Sequence, residues 1–221
     1  MTSTSLAMAK IVERMGDRPN PTRHMSALLG ISRGLVAAAD AVAGLHAVAP
    51  TGPGAADATR RLVNKVDAAV RELNDHARAG VMELEGAILQ KSQLTQTPYA
   101  SEIRAVYRNL APEAAQDYLR RAVEGGDAET IAALCCVPYA LTLIDPAQAS
   151  RYRLHHEERC APEEVRQRSE LTQDLSSALL VASLARQQCT ELLSPEAQRT
   201  EQAAERAEQA LAKVAVTVGA P

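Results

Sequence analysis

The chain contains no tryptophan and no phenylalanine, and its five tyrosines make up only 2% of its 221 residues. A sheet of any size recruits aromatic and β-branched residues to its pleated faces, so this shortage argues against a β or α/β protein. Alanine, in contrast, occurs 42 times. Because alanine loses no side-chain entropy in a helix and lets neighbouring helices approach closely, the composition predicts an all-α protein.

The sequence also lacks an excess of basic charge and a long hydrophobic run. Its net charge is -3, with acids and bases interspersed, whereas a nucleic-acid binder shows a basic stripe. The most apolar stretch, residues 35–49, contains Asp40 and His46 and is shorter than the roughly 20 residues that cross a bilayer. We therefore expect neither a nucleic-acid partner nor a membrane. Residues 1–14 lack the apolar core of a signal peptide, so we expect no secretion by that route.

Cysteine is scarce as well: the four residues lie at 135, 136, 160 and 189, and no Cys-x-x-Cys pair occurs. The neighbours Cys135 and Cys136 cannot easily bond to each other within a helix. We expect four reduced thiols in a cytoplasm-like compartment.

Proline- and glycine-rich turns divide the chain into helical segments. The predicted parts are N-terminal helices (1–48), a linker (49–56), a long helix (57–97), a subdomain of short helices (98–161), and a C-terminal heptad helix followed by an alanine-rich helix (162–221).

Two of these segments predict long helices with apolar stripes. Apolar residues recur every three or four positions in 57–97, for which Asp57 is the expected N-cap. A heptad seam follows Pro162 and consists of Leu171, Leu175, Ala178, Ala182, Ala185, Cys189 and Leu192. The predicted fold is an elongated helical bundle in which the two long helices are antiparallel and the short-helix subdomain lies at their connection.

The short-helix subdomain carries the strongest stop and start signals. Pro98, Pro112, Asp127 and Asp145 are expected to begin helices, and the pair Gly125-Gly126 to end one. All five tyrosines lie in this segment, at 99, 107, 118, 139 and 152. Since tyrosine buries a large ring and keeps one polar handle, we expect them to form the core of the subdomain.

Small residues mark two further helical surfaces. Gly30 and Gly34 leave one face of a helix over 22–48 without side chains, which indicates close packing within the bundle rather than a membrane dimerisation face. Near the C-terminus, small residues continue the seam and require a closely apposed partner in the same chain or another copy: Ala203, Ala207, Ala210 and Val214. The alternating valines of 213–219 favour a frayed helix end over an added strand.

The densest group of metal-ligand residue types runs from His155 to Cys160. His156 and Cys160 are four apart and share a helix face, and Cys135 or Cys136 would have to supply a third zinc ligand. Solvated polar residues at a helix end explain the group equally well, and we expect no metal and no cofactor.

No other residues form a pattern for catalysis. Cys189 falls on the heptad seam, where a free cysteine acts as a small hydrophobe. Acidic pairs such as Glu83 and Glu85 point in directions too different for shared acid–base work, and the histidines at 24, 46 and 76 are isolated. We expect a non-enzymatic protein without catalytic residues.

Residues 102–164 resemble a segment of small helical proteins of unassigned activity that are encoded among the structural genes of tailed bacteriophages. The resemblance covers under a third of the chain and is carried by four stretches: Glu102-Ile103-Arg104, Ala122 to Asp127, Ala132-Ala133-Leu134 with Pro138, and Arg159-Cys160-Ala161-Pro162-Glu163. Where such segments commonly show a glycine before the proline, this chain has Cys135-Cys136-Val137. The resemblance implies a helical virion or assembly component and no catalytic residues.

These expectations combine into a structural or assembly protein that acts through helix–helix contacts, in a homo-oligomer or with other virion proteins, located in a virion or a bacterial cytoplasm. The alternative is a soluble helical adaptor or regulator that binds one protein partner. A third hypothesis, a metal-dependent enzyme, would use His156 and Cys160 with one of the vicinal cysteines.

Overall fold

A computed structural model describes residues 3–48 and 53–192, which form nine α-helices and no strand, so the all-α prediction is confirmed. The helices are α1 (Ser3–Gly16), α2 (Arg23–Val48), α3 (Pro53–Ser92), α4 (Ala100–Asn109), α5 (Pro112–Gly125), α6 (Ala128–Cys135), α7 (Tyr139–Thr142), α8 (Pro146–Cys160) and α9 (Pro162–Leu192). The chain divides into two compact units. Unit 1 takes residues up to Ala77 and from Gln173 onward, and unit 2 takes Arg78–Thr172.

Unit 1 is held together by an aliphatic core to which α1, α2, α3 and α9 all contribute. Its buried members are Met8, Val12, Leu35, Ala39, Val42, Leu62, Val66, Ala69, Val181, Ala182, Ala185 and Cys189. The loop between α1 and α2 is tied to α9 by Arg18, whose Nη2 lies 3.2 Å from Oδ1 of the buried Asp174. Cys189 is completely buried, as its position on the seam predicts.

Unit 2 is built around the short helix α6, which packs against α4, α5 and α8. Ile131, Ala132, Ala133 and Leu134 are all completely buried. A four-residue run with no exposed member means that α6 is covered on every side. Each fully buried large aliphatic side chain contributes about 1.5 to 3 kcal/mol relative to an exposed one.

Side-chain caps begin α2, α6 and α8, and the predicted helix starts at Asp127 and Asp145 are confirmed. Thr22 Oγ1 accepts from the Met25 N–H (3.2 Å), Asp127 from that of Thr130 (3.1 Å) and Asp145 from that of Gln148 (3.0 Å). Pro112 stands in the first turn of α5, and Gly126, with φ of 73°, follows its last residue. An L side chain rarely adopts that conformation, which is why glycine ends this helix.

The prediction of the first long helix was wrong at both ends. The helix begins at Pro53 instead of Asp57, and Asp57 is paired within it to Arg61 at 2.7 Å. The helix ends at Ser92 instead of 97, and Gln93 has φ of 55°. Leu94 beyond this break is 7% exposed, in the core of unit 2. The burial of Leu94 in the core of unit 2 therefore favours a helix that ends at Ser92 over one that continues to 97.

Two further expectations about unit 2 need correction. Its core is aliphatic, whereas Tyr99 and Tyr139 are more than half exposed and Tyr107, Tyr118 and Tyr152 pack only at its edge. A ring with a polar hydroxyl satisfies that group most easily at an edge. Helix α4 begins at Ala100, two residues after Pro98, and α7 was not predicted at all because four residues carry no periodic signal.

Three predictions lie outside the described residues. They are the part of the linker at 49–52, the alanine seam at 203–214 and the valine-rich stretch at 213–219.

Candidate functional site

The structure brings His156 and Cys160 together near the end of α8, as their spacing predicts. Nε2 of the buried His156 lies 3.6 Å from Cys160 Sγ and 3.0 Å from the carbonyl oxygen of Ser92 at the end of α3. Within 3–48 and 53–192 there is no group of three or more His, Cys, Asp or Glu residues arranged to hold a metal ion. Because a zinc site takes at least three protein ligands, this pair is better described as a link between α8 and the end of α3.

The histidines at 24, 46 and 76 contact side chains within unit 1 and are not part of the pair formed by His156 and Cys160. His46 is buried and its Nε2 lies 2.8 Å from Thr59 Oγ1, which joins α2 to α3 in unit 1. The His24 ring is buried, and its centroid lies 6.0 Å from that of the exposed His76.

Unit 2 contains a polar cavity of about 340 Å³ that the sequence did not predict. We call it the Glu157 cavity. Its lining comes from α3, α8, α9 and two connecting segments: Glu85, Ile88, Leu89, Ser92, Leu94, Cys136, Arg153, Glu157 and Arg168. The volume falls at the small end of the range for ligand pockets.

The electrostatic centre of this cavity is Glu157, which is only 6% exposed. Its Oε1 lies 3.3 Å from Arg153 Nε, and its Oε2 lies 3.0 Å from Arg168 Nη2. Burial of a carboxylate is costly unless it is paired and hydrogen-bonded, and here both oxygens are engaged. With Glu85, which also belongs to the lining, the cavity has two arginines and two glutamates, so its charged side chains balance.

Two neutral polar groups complete the wall. Ser92 is 2% exposed, and no hydrogen-bond partner for its Oγ is found among the described residues. The thiol of Cys136 has a raised pKa because of burial, an effect that Arg153 partly offsets. The thiol is therefore protonated near neutral pH, and thiolate nucleophilic chemistry is not expected of it.

Little in the sequence could have identified this cavity. Arg153 and Glu157 are four apart on α8, a spacing typical of ordinary surface ion pairs. Arg168 approaches from another helix, 11 residues further along the chain. A buried glutamate within the run from His155 to Arg159 has the same sequence signature as a solvated one.

The second candidate site is a side of α2 that we call the Gly/Ala face. It consists of Gly30, Gly34, Ala37, Ala41, Gly44, Leu45 and Val48. At 100° per residue these positions lie within an arc of about 100°, opposite the buried residues of α2, and span about 27 Å. A Cβ added at Gly30, Gly34 or Gly44 would meet no atom within 4 Å among the described residues. Within residues 3–48 and 53–192, the expected close packing of Gly30 and Gly34 against the bundle is not found.

Helix α2 is also long and apolar enough to cross a membrane by length and composition, contrary to the expectation that no segment would be. A wider stretch than 35–49 meets this test because Arg33 and Asp40 are the only strongly charged residues between 24 and 48. The core helices of soluble proteins share this length and composition. One side of α2, including Leu28 and Leu35, packs inside unit 1.

The thiol of Cys135, beside the cavity residue Cys136, makes a pH-dependent contribution to stability. Burial, and next the charge of Cys136, raises its pKa from 9.0 to about 12. A raised folded-state pKa gives stability that is fully present below about pH 9 and is lost as the pH rises toward 12.

We expect the free energy of unfolding to fall more steeply between about pH 9 and 12 in the wild type than in Cys135→Ala. The difference should reach at most about 1.4 kcal/mol per pH unit, the value for one proton. Urea denaturation at a series of pH values measures it. Parallel pH profiles for the two proteins would contradict the prediction.

Comparisons with protein-family models, with curated proteins and with solved structures found no match to this chain.

Proposed function

We propose that the protein is a non-enzymatic structural or assembly protein that acts through helix–helix contacts between copies of the chain. The observation that carries the proposal is the Gly/Ala face of α2, which is exposed except for the half-buried Gly34 and contains no charged residue. Val48 is 86% exposed and Leu45 is 51% exposed at its C-terminal end. Contiguous exposed apolar surface of this kind marks interaction sites in soluble proteins.

A second copy is the partner that this face fits best. Glycine and alanine let two helix backbones approach closely, and a stripe of small residues is complementary to itself. A two-fold contact presents the same surface on both subunits, so one face serves both sides of the interface.

The antiparallel arrangement of α3 and α9 is part of the proposal, and one ion pair in each unit supports it. In unit 1, Asp67 of α3 lies 3.3 Å from Arg186 of α9. In unit 2, Lys91 of α3 lies 2.6 Å from Glu164 of α9. Each pair joins α3 to α9 within its own unit.

We place the function in a tailed-phage virion or its assembly, in the particle or the bacterial cytoplasm. This setting is supported only by the resemblance of residues 102–164 to proteins encoded among phage structural genes. Neither a nucleic acid nor a membrane is part of the proposal.

Light scattering coupled to size-exclusion chromatography tests the proposal. We expect wild-type protein to elute as a discrete multiple of the 23.6 kDa chain. Gly34→Leu should shift the mass toward one chain, because a Cβ at this position meets no atom within 4 Å in the described part of the chain, whereas a leucine side chain blocks close approach between two copies. The matched control is Ala105→Leu, which adds the same side chain at an exposed position of α4.

A wild-type monomer at every concentration would overturn self-assembly and favour the adaptor that binds a single partner. An oligomer that Gly34→Leu leaves intact would reject the Gly/Ala face as the contact surface. Circular dichroism of the variant, with unchanged helix content, establishes that a lower mass reflects dissociation and not unfolding.

A further inference from the structure

We propose that the Glu157 cavity binds a small carboxylate with an apolar body, held by Arg153 and Arg168 at its acidic end. This inference concerns unit 2 and is independent of self-assembly through the Gly/Ala face of unit 1.

The N–H donors of the two arginines select an anion. Arg168 donates one N–H group to Glu157, Arg153 forms an ion pair with it, and both side chains line the cavity. A guanidinium has five N–H donors in a planar fork that matches a carboxylate. The N–H donors that Glu157 does not use remain for a ligand carboxylate, while the charges of the two arginines and the two glutamates of the lining cancel. Glu85, also on the lining, lies on the exposed surface of α3.

The buried hydroxyl of Ser92 is a second, independent sign of a ligand. A buried hydroxyl without a partner is uncommon, because its desolvation costs about 1 to 3 kcal/mol. Ser92 Oγ has no hydrogen-bond partner among the described residues and belongs to the lining of the cavity. A ligand carboxylate in the cavity would supply the missing acceptor.

The apolar part of the lining determines the chemical character of the ligand beyond its carboxylate. Ile88, Leu89 and Leu94 form a hydrophobic wall, and the protonated thiol of Cys136 adds a weakly polar surface. The volume of about 340 Å³ accommodates a short aliphatic chain. A carboxylate without such a chain would leave this wall in contact with water.

Isothermal titration calorimetry with hexanoate tests the inference on the full-length protein. We expect saturable binding of hexanoate, much weaker binding of acetate, which lacks the chain, and no binding of hexylamine, which carries the opposite charge. Arg168→Gln should weaken hexanoate binding by about tenfold or more, because it removes a charge-assisted hydrogen bond. The matched control Arg166→Gln should leave binding unchanged, since Arg166 pairs with Glu163 and Glu170 at the surface of the same helix.

Leu89→Asp provides a second variant for the case that Arg168→Gln does not fold. Leu89 is 47% exposed, so the polar side chain is tolerated, while its negative charge should abolish binding of hexanoate. Absence of saturable hexanoate binding overturns the proposal, and so does binding that Leu89→Asp leaves intact. Equal affinities for hexanoate and hexylamine, or for hexanoate and acetate, overturn the assigned ligand class.

Discussion

Replacing Leu134 by alanine is expected to lower the free energy of unfolding of unit 2 by about 2 to 5 kcal/mol, the range for removal of a fully buried leucine side chain. Leu134 is completely buried on α6, in a core shared with Leu119 of α5 and Ile144. The rigid surroundings on all sides of α6 cannot collapse fully around the missing atoms. Urea denaturation followed by far-ultraviolet circular dichroism measures the change.

The matched control is Leu141→Ala on α7. Leu141 is 41% exposed, so its truncation removes much less buried surface and leaves no closed cavity. Equal losses of stability in the two variants would mean that α6 is not the centre of unit 2.

Replacing Glu157 by alanine is expected to lower the free energy of unfolding by about 2 kcal/mol. Removal of one member of a buried ion-pair group leaves its partners uncompensated, at a cost of about 3 to 5 kcal/mol when all of them are buried. Here the side chains of Arg153 and Arg168 are 48% and 23% exposed and can turn toward water, so the expected loss is smaller. The same denaturation experiment measures it.

The neighbouring residue supplies the control for this prediction. Glu158 lies on the same helix with its side chain exposed, so Glu158→Ala removes the same charge without disturbing a buried pair. If the two variants lower the free energy of unfolding equally, Glu157 acts only through the net charge and its buried ion pairs do not stabilise the protein.

The two proposals can be tested separately because their residues belong to different units. Gly34 lies in unit 1, and Arg168 lies in unit 2. Gly34→Leu is expected to change the mass and to leave hexanoate binding intact. Arg168→Gln is expected to do the reverse. Failure of one proposal therefore leaves the other standing.

The sequence by itself determined the helical class and most helix ends. A cap such as Asp127 or Asp145 acts on a backbone N–H three residues away, and Pro112 and Gly126 act through their own backbone conformation. These effects are local, so they can be read from neighbouring residues. Periodicity likewise indicated the buried side of α9 at Ala178, Ala182, Ala185 and Cys189, because helix geometry places such residues on one side.

Only the tertiary structure decided what each surface contacts. Gly30 and Gly34 show the same spacing whether a neighbouring helix covers them or not, and Tyr99 has the same ring whether it lies inside or outside a core. The end of α3 at Ser92 and the cavity around Glu157 depend on segments that meet after long stretches of intervening chain, such as α3 with α8 and α9. Burial and ion pairing follow from these tertiary contacts, and no local pattern of residues specifies them.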